Sequence, residues 1–211
     1  MISEHFKNFT DKFPNLPKTS EREIGLYEAH FALLKSWNEN MSLVSRKSIE
    51  KSFASHYLDS IFISDFAESK RKNRPIFDLG TGAGFPGVIT AIRYPNAEVN
   101  IYERMLKKQG FLQVVLTTLN LENIRLGGDF PVERQTGLFL ARAVLPPAEL
   151  FKFMGARMTE SSTLILNVGG SSDAIVCGKG FEKTGELYYE LPMDCGARRV
   201  ESFDYVPRGT K

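Results

Sequence analysis

The 211-residue sequence is poor in cysteine, and it has neither a long apolar run nor an excess of one charge. Its two cysteines, Cys177 and Cys195, are too few for a disulfide framework, and no CxxC pair is present for zinc or redox chemistry. No segment approaches the ~18 consecutive apolar residues of a membrane span, and the N-terminus lacks the apolar core of a secretory signal. These absences predict a cytoplasmic protein with no membrane attachment and no metal centre.

The remaining composition is that of an ordinary globular protein. Hydrophobic residues make up 42% and charged residues 25% of the sequence, which excludes wholesale disorder. The 27 Lys and Arg residues nearly balance the 25 Asp and Glu residues, giving a net charge of +2. Such a balance neither requires nor excludes a nucleic-acid partner, because the position of the charges matters more than their sum.

The N-terminal third is predicted to be helical. The segment from Ser20 to Glu23 has the residues of a capping box, and Ile24, Tyr27 and Phe31 follow at helical spacing. A second helix is predicted over residues 48–66, followed by a charged linker over residues 70–74. We therefore predict an N-terminal helical region over residues 1–72 and a second region over residues 73–211.

The second region alternates between strand and helix patterns. Strands are predicted over residues 76–79, 97–102, 123–126, 138–141 and 163–168, with helices over residues 88–94, 107–119 and 148–158. This alternation predicts right-handed crossovers and a mostly parallel sheet. Residues 186–191 and 200–206 are predicted to form an antiparallel pair at the sheet edge. The fold class is therefore α/β and Rossmann-like, preceded by N-terminal helices.

A glycine turn separates the first strand from the helix that follows it. Gly80, Gly82, Gly84 and Gly87 lie within eight residues. Glycine is needed where the backbone turns tightly or lies against a ligand with no Cβ in the way. Four glycines at the first strand–helix junction therefore predict a ligand at the carboxyl edge of the sheet.

Two classes of ligand fit this turn. The spacing from Gly82 to Gly87 matches the dinucleotide fingerprint, and Glu103, 19 residues after Gly84, suits the ribose hydroxyls of either a nicotinamide dinucleotide or S-adenosylmethionine. Asp78 favours S-adenosylmethionine, because a carboxylate suits an ammonium and a sulfonium group better than a pyrophosphate. Pro86 also removes a backbone N–H that a phosphate would use.

The sequence resembles the RsmG/GidB family, the bacterial 16S ribosomal RNA (guanine(527)-N7)-methyltransferases, also called glucose-inhibited division protein B. The resemblance runs from about Leu26 to Ala148. The motifs that carry it are Trp37-Asn38, the HxxDS motif from His56 to Ser60, the turn from Phe77 to Gly87, Lys107-Lys108 with Phe111-Leu112, Leu121-Glu122-Asn123 and Ala141-Arg142-Ala143.

The resemblance implies a class I S-adenosylmethionine-dependent methyltransferase fold, with S-adenosylhomocysteine as the product. It implies 16S rRNA as the partner, in the small ribosomal subunit or an assembly intermediate. The cofactor-binding residues that it and the glycine turn indicate are Gly80, Gly82, Gly84, Phe85, Glu103, Pro131, Val132 and Arg142. Pro131 and Val132 enter through an ungapped alignment that places the segment from Phe130 to Glu133 where the family contacts adenine.

The sequence departs from the family pattern at three positions. Ser55 replaces a basic residue before the HxxDS histidine, Ser42 lies in place of the Asn of an Asn-Leu-Thr segment, and Val168 replaces a lysine after the fifth strand. We expect these positions to contact RNA or the target base rather than the methyl donor. The departures leave the exact target nucleotide open.

The HxxDS motif allows two interpretations. His56, Asp59 and Ser60 share a helical face at i, i+3 and i+4. They form either a polar group near the site of methyl transfer or, as we favour, a histidine that Asp59 orients to fix the N-terminal helices against the sheet. His30 is interpreted as an ordinary surface or core residue.

Basic residues cluster in three places. They are either solvated helix faces or a shared rim that contacts RNA phosphates. The three groups are Arg46, Lys47 and Lys51, the linker residues 70–74, and Arg104, Lys107 and Lys108.

Guanine N7 offers a lone pair in the neutral base, so we expect no general base, and no catalytic residue is assigned. The alternatives are an NAD(P)-dependent oxidoreductase and a divergent family member that binds RNA or cofactor without turnover. The oxidoreductase lacks an evident Tyr-Lys pair. The sequence leaves the oligomeric state open.

Overall fold

A computed structural model describes residues 2, 4–6, 17–45, 49–169 and 175–207. Its centre is a seven-stranded sheet in the order β3-β2-β1-β4-β5-β7-β6. The strands are β1 (Ile76–Leu79), β2 (Val99–Tyr102), β3 (Ile124–Gly127), β4 (Leu138–Arg142), β5 (Thr163–Gly169), β6 (Phe181–Leu191) and β7 (Gly196–Tyr205). Strands β1 to β5 are parallel, and β7 pairs antiparallel with both β5 and β6.

The central strand β1 is buried and pairs with a parallel strand on each side. All four of its residues are buried, as expected for a parallel strand covered by helices on both faces. Ile76 pairs with Val99 of β2 on one side and with Leu138 of β4 on the other. The strand order reverses between β1 and β4, and a doubly wound sheet binds its ligands at the carboxyl ends of such strands. The predicted mostly parallel α/β fold is confirmed.

The first N-terminal helix begins as predicted, and the second ends later than predicted. Helix α1 (Glu21–Asn38) has the capping box: the Ser20 Oγ accepts from the Glu23 backbone N at 3.3 Å, and the Ser20 backbone N donates to the Glu23 carboxylate at 2.8 Å. The second predicted helix contains a π-helical segment (Phe53–Leu58), and α2 (Asp59–Arg71) continues it. Its predicted start at Ser48 lies outside the described residues.

The linker predicted over residues 70–74 was partly wrong. Lys70 and Arg71 form the last turn of α2, and Lys72 ends it in the left-handed conformation with a φ of 48°. The Arg74 guanidinium donates to the Lys70 and Ser161 backbone oxygens, which ties this corner to the amino end of the sheet.

Helices cover the two faces of the sheet. Helices α3 (Gly87–Arg93) and α4 (Leu106–Thr118) join α1 and α2 in one apolar cluster with buried Tyr27, Ile61 and Val88. Helix α5 (Pro147–Gly155) covers the other face in a second cluster with Phe139 and Phe203. The boundary at residue 72 remains a prediction, although both regions contribute to the first cluster. No helix of the described ranges combines the length and hydropathy needed to cross a membrane.

The β6–β7 hairpin is longer than predicted. The two strands begin at Phe181 and Gly196 rather than at residues 186 and 200. Most of the first seven residues of β6 are exposed or half-buried, so they lack the apolar pattern that identifies a buried strand. This part of β6 is a strand because its backbone pairs with β7, which the local sequence pattern does not reveal.

Candidate functional site

The glycine turn leaves the carboxyl end of β1 in a conformation that glycine favours. Gly80, Gly82 and Gly84 have φ values of 63°, 62° and 93°. A Cβ on Gly80 would lie 3.2 Å from a Val144 methyl group, whereas a Cβ on Gly82 would meet nothing nearer than the Gly80 backbone oxygen at 3.9 Å. The turn at Gly82 therefore presents bare backbone to open space.

Asp78 connects this turn to α3. Its Oδ2 accepts a hydrogen bond from the Gly87 backbone N at 2.8 Å, at the first residue of the helix. The residue is 1% exposed, and burial raises the pKa of its carboxyl to about 6. The Oδ1 atom has no hydrogen-bond partner among the described residues. Asp78 therefore braces the turn and keeps one acceptor atom unsatisfied beside it.

Glu103 lies where the sequence predicts it, directly after β2. Its Oε2 accepts from the Gly82 backbone N at 3.1 Å, and its Oε1 accepts from the Met105 backbone N at 2.9 Å. The Gln109 side chain donates to the Glu103 backbone oxygen at 2.7 Å. These contacts bring the carboxylate against the glycine turn and hold it there.

Phe85, which the family resemblance predicts to flank the ligand, has a buried ring. Its ring is 3% exposed, stacks on His56 at a centroid distance of 5.0 Å and meets Tyr57 edge-on at 5.1 Å. The Arg142 guanidinium lies 5.6 Å from its centroid. The ring therefore anchors the turn to the N-terminal helices.

His30 is more than an ordinary core residue. It is fully buried, its Nδ1 lies 2.5 Å from the Tyr57 hydroxyl, and its Nε2 lies 3.0 Å from the Ala83 backbone oxygen. Burial lowers its pKa to about 4. It therefore connects α1 to the glycine turn, a role that its spacing in the sequence does not indicate.

A polar network joins α2 to the ends of β4 and β5. The buried Asp59 carboxylate accepts from the Arg142 guanidinium at 3.1 Å, from the Asn167 amide at 3.1 Å and from the Tyr189 hydroxyl at 2.8 Å. The partners come from β4, β5 and β6, up to 130 residues away in sequence. Neither Tyr189 nor Asn167 is among the site residues predicted from the sequence.

The prediction that Asp59 orients His56 was wrong. The helix is π-helical up to Leu58, so the α-helical spacing assumed for the HxxDS motif does not apply. His56 Nδ1 lies 3.4 Å from Arg142 NH2, and Arg142 in turn binds Asp59. Burial, followed by the charge of Arg142, lowers the pKa of His56 to about 3. Our favoured view that the motif fixes helix to sheet holds for Asp59.

A cavity of about 360 Å³ lies beyond the ends of β4 and β5. Its lining is mostly apolar, with Val144, Leu150 and Ile175, and it includes Arg142 and Asn167. Ala143, which follows Arg142, has a φ of 54°, a conformation that costs a non-glycine residue free energy and is often found at functional sites. Ala143 also lines the cavity.

Some of the remaining predicted residues lie near the carboxyl edge of the sheet, and others lie at the opposite, amino edge. Val132 is 76% exposed, Pro131 is half-buried, and the Phe130 ring packs edge-on against Tyr102 at 4.9 Å. Arg104 and Lys107 are exposed beside the carboxyl end of β2. Residues 70–74 lie at the amino end of β1, on the opposite edge, so they cannot share a rim with Lys107. Arg46 and Lys47 lie outside the described residues.

Known proteins share this sequence pattern. Residues 24–178 match the family model GidB, described as rRNA small subunit methyltransferase G. The chain belongs to this family. It is 30% identical over 192 residues to ribosomal RNA small subunit methyltransferase G of Parabacteroides distasonis, covering 90% of this chain and 77% of that protein. It is 29% identical over 203 residues to the protein of the same name from Staphylococcus saprophyticus, covering 88% of this chain and 83% of that protein.

Solved structures share the fold. A mutant of MtNAS in complex with S-adenosylmethionine superposes with a TM-score of 0.59 at 14% identity, covering 97% of this chain and 84% of that one. TrmN from Thermus thermophilus superposes with a TM-score of 0.52 at 13% identity, covering 71% of this chain and 48% of that one. The family assignment favours the predicted methyltransferase over the oxidoreductase alternative.

Proposed function

We propose that this protein transfers the methyl group of S-adenosylmethionine to N7 of a guanine in 16S rRNA, guanine 527 by its resemblance to the family. The observation that carries the proposal is the lining of the cavity beside the glycine turn. Among the described residues that line it, Arg142 is the one titratable side chain. A guanidinium stays protonated and cannot act as a base. A nucleophile that needs no deprotonation, such as guanine N7, suits this cavity.

The residues around the turn fit the cofactor. Gly82 presents open backbone, Glu103 supplies carboxylate oxygens for ribose hydroxyls, and Asp78 keeps an unsatisfied acceptor for an ammonium group. We assign cofactor binding to the set predicted from sequence, Gly80, Gly82, Gly84, Phe85, Glu103, Pro131, Val132 and Arg142. Because its ring is buried, Phe85 contributes through its backbone.

When bound, S-adenosylmethionine supplies a methyl group activated by its sulfonium. The chain contributes alignment: the glycine turn and the cavity share the carboxyl edge of the sheet, at β1 and at β4 and β5. Holding two reactants in line contributes up to about 7–11 kcal/mol. Asp59 holds Arg142 at the cavity wall, next to the glycine turn that carries Phe85.

We infer that the substrate is the small ribosomal subunit or an assembly intermediate, and that the reaction takes place in the cytoplasm. In a folded RNA helix the N7 edge faces a deep, narrow groove that side chains do not read. The target guanine is therefore unpaired or opened when it enters the cavity.

The test is a methylation assay. Purified protein is incubated with labelled cofactor and with small subunits from a strain that lacks this gene, and N7-methylguanine is mapped in the 16S rRNA. We expect label at one guanine. Label on a base carbon, on protein or on a small molecule contradicts the proposal, and bound cofactor without transfer identifies the non-catalytic alternative.

A variant tests the assigned site in the same preparation. Glu103→Ala removes acceptors for two charge-assisted hydrogen bonds of about 1.5–3 kcal/mol each, so cofactor affinity should fall at least about tenfold. Glu98→Ala is the matched control, because Glu98 precedes β2 at the opposite edge of the sheet and is exposed. Calorimetry that shows equal affinity for both variants contradicts the placement of Glu103.

A further inference from the structure

A second cavity lies next to the proposed cofactor site. It measures about 370 Å³ and is lined by Ser36, Trp37, Asn40, Met41 and Lys107. The first four residues come from the end of α1 and the segment after it, and Lys107 comes from the first turn of α4. Small-molecule sites occupy roughly 300–1,000 Å³, so the cavity has room for one planar ring system.

The lining combines an apolar base with polar groups at the mouth. Trp37 and Met41 are half-buried and pack against the main apolar cluster, and the Trp37 indole meets Phe111 edge-on at 5.8 Å. Lys107 is exposed. An indole beside a thioether suits a flat aromatic ring, and an ammonium group suits an anion joined to it.

Among the described residues that line the cavity, Lys107 is the one charged side chain. Neither Arg104, Lys107 nor Lys108 makes an ion pair with a described residue. The first turn of α4 contains no acidic residue, and no carboxylate lines the cavity. The amino end of α4 adds positive potential at Lys107 and the carboxyl end of α1 adds negative potential beside it, so the ammonium group of Lys107 decides which charge the cavity attracts. The occupant is therefore an anion that carries an aromatic ring.

Apolar side chains extend the surface towards solvent. Met105 and Leu106, which immediately precede Lys107, are 55% and 80% exposed. Single-stranded nucleic acids bind to surfaces of this kind, on which bases stack on aromatic side chains and cations contact the phosphates.

We propose that Trp37, Met41 and Lys107 form a stacking pocket for an unpaired rRNA nucleotide other than the target guanine. This inference rests on the proposed function, since it takes the substrate to be RNA. The pocket lies at the end of α1 and at α4, whereas the cavity for the target lies beyond β4 and β5. Two separate contacts would hold the RNA on both sides of the glycine turn.

Trp37 provides a direct measurement, because it is the one tryptophan of the chain. A single-stranded oligonucleotide of about twelve nucleotides, with the sequence around the target guanine, is titrated into the protein while indole emission is followed. We expect saturable quenching by the single strand, little by the same strand annealed to its complement, and none by the cofactor alone.

Two charge-reversal variants localise the contact. Lys107→Glu should weaken oligonucleotide binding about tenfold and lower the slope of log K against log salt by about one. Lys179→Glu is the matched control, because Lys179 is exposed and precedes β6 at the opposite edge of the sheet. Trp37→Phe keeps a ring next to Phe111 and should raise the KM for small subunits while leaving cofactor affinity unchanged.

The outcomes separate this inference from the proposed function. Methylation of small subunits without any change in Trp37 emission, or equal effects of Lys107→Glu and Lys179→Glu, overturns the stacking pocket and leaves the enzyme activity in place. Quenching by RNA without methylation supports the pocket and contradicts the activity. Emission that changes with protein concentration in the absence of RNA assigns the surface to a second copy of the chain and overturns the inference.

Discussion

At the scale of single residues, Asp59 contributes more to this site than its neighbours in the HxxDS motif. One carboxylate accepts hydrogen bonds from Arg142, Asn167 and Tyr189, and Arg198 lies 4.0 Å away. Burial, together with the adjacent Asp59 charge, raises the pKa of Tyr189, so its hydroxyl remains a donor. Asp59 thereby positions Arg142 without itself lining the cavity.

Replacing Asp59 should therefore be costly. In Asp59→Asn, Arg142 keeps its charge in a largely buried position without its partner, and breaking a buried pair in this way costs about 3–5 kcal/mol. Tyr189→Phe removes one hydrogen bond from the same carboxylate and should cost about 1 kcal/mol. Urea denaturation measures both free energies of unfolding. Equal losses in the two variants would contradict the central role of the Asp59 charge.

At the scale of elements, the glycine turn and α3 depend on one close approach. A Cβ on Gly87 would lie 2.6 Å from Asp78 Oδ2, and it would also clash with the Ile101 side chain on β2. Asp78 can accept a hydrogen bond from the backbone N of Gly87, the first residue of α3, because Gly87 has no side chain in the way. The glycine pattern predicted this turn but not the reason for its fourth glycine.

Two alanine substitutions test this packing. Gly87→Ala should lower the free energy of unfolding by about 1–3 kcal/mol, because the added methyl group overpacks the junction of β1, β2 and α3. Gly110→Ala, in the middle of α4, meets no atom within 4 Å and should raise the free energy of unfolding by about 0.5–1 kcal/mol. Chemical denaturation distinguishes the two signs. A neutral Gly87→Ala would show that the contact with Asp78 relaxes freely.

At the scale of the whole molecule, the N-terminal helices complete the site. His30 from α1 and His56 from the π-helical segment both pack against Phe85 on the glycine turn. Both are held neutral, since burial lowers the pKa of His30 to about 4 and, with Arg142, that of His56 to about 3. Protonation of either ring therefore opposes folding.

The pH dependence of stability follows from these shifts. Between pH 6.5 and about 4 the unfolded chain binds protons at both histidines while the folded chain does not, so stability falls as the pH falls. Asp78, with its pKa raised from 3.8 to about 6, has the opposite effect in the same range. Together the three groups give the unfolded chain about one more bound proton than the folded chain. The free energy of unfolding therefore falls by about 1.4 kcal/mol for each pH unit that the pH is lowered.

Two variants show how much His30 and Asp78 contribute to this dependence of the unfolding free energy on pH. His30→Gln should flatten the dependence of the unfolding free energy on pH between 4.5 and 6.5, and Asp78→Asn should steepen it. Urea denaturation at several pH values measures both. A slope in His30→Gln that equals the slope of the unaltered protein would contradict the neutral, buried state of His30.

The sequence by itself determined the order of elements, the glycine turn and the acidic residue after β2. These features depend on neighbours along the chain: hydrophobic periodicity for β1 to β5 and α1, and the glycine spacing between Gly80 and Gly87. Most predicted bounds of the buried strands lie within two residues of those observed, because such strands are short apolar runs between turn residues.

Only the tertiary structure decided which distant side chains meet. The contact of Asp59 with Tyr189 spans 130 residues, and the pairing of α1 with the glycine turn through His30 leaves no local pattern. The π-helical segment changed which side chains of the HxxDS motif share a face. The second cavity exists because the end of α1 packs beside the start of α4. Such contacts arise from packing across the fold, which periodicity along the chain does not encode.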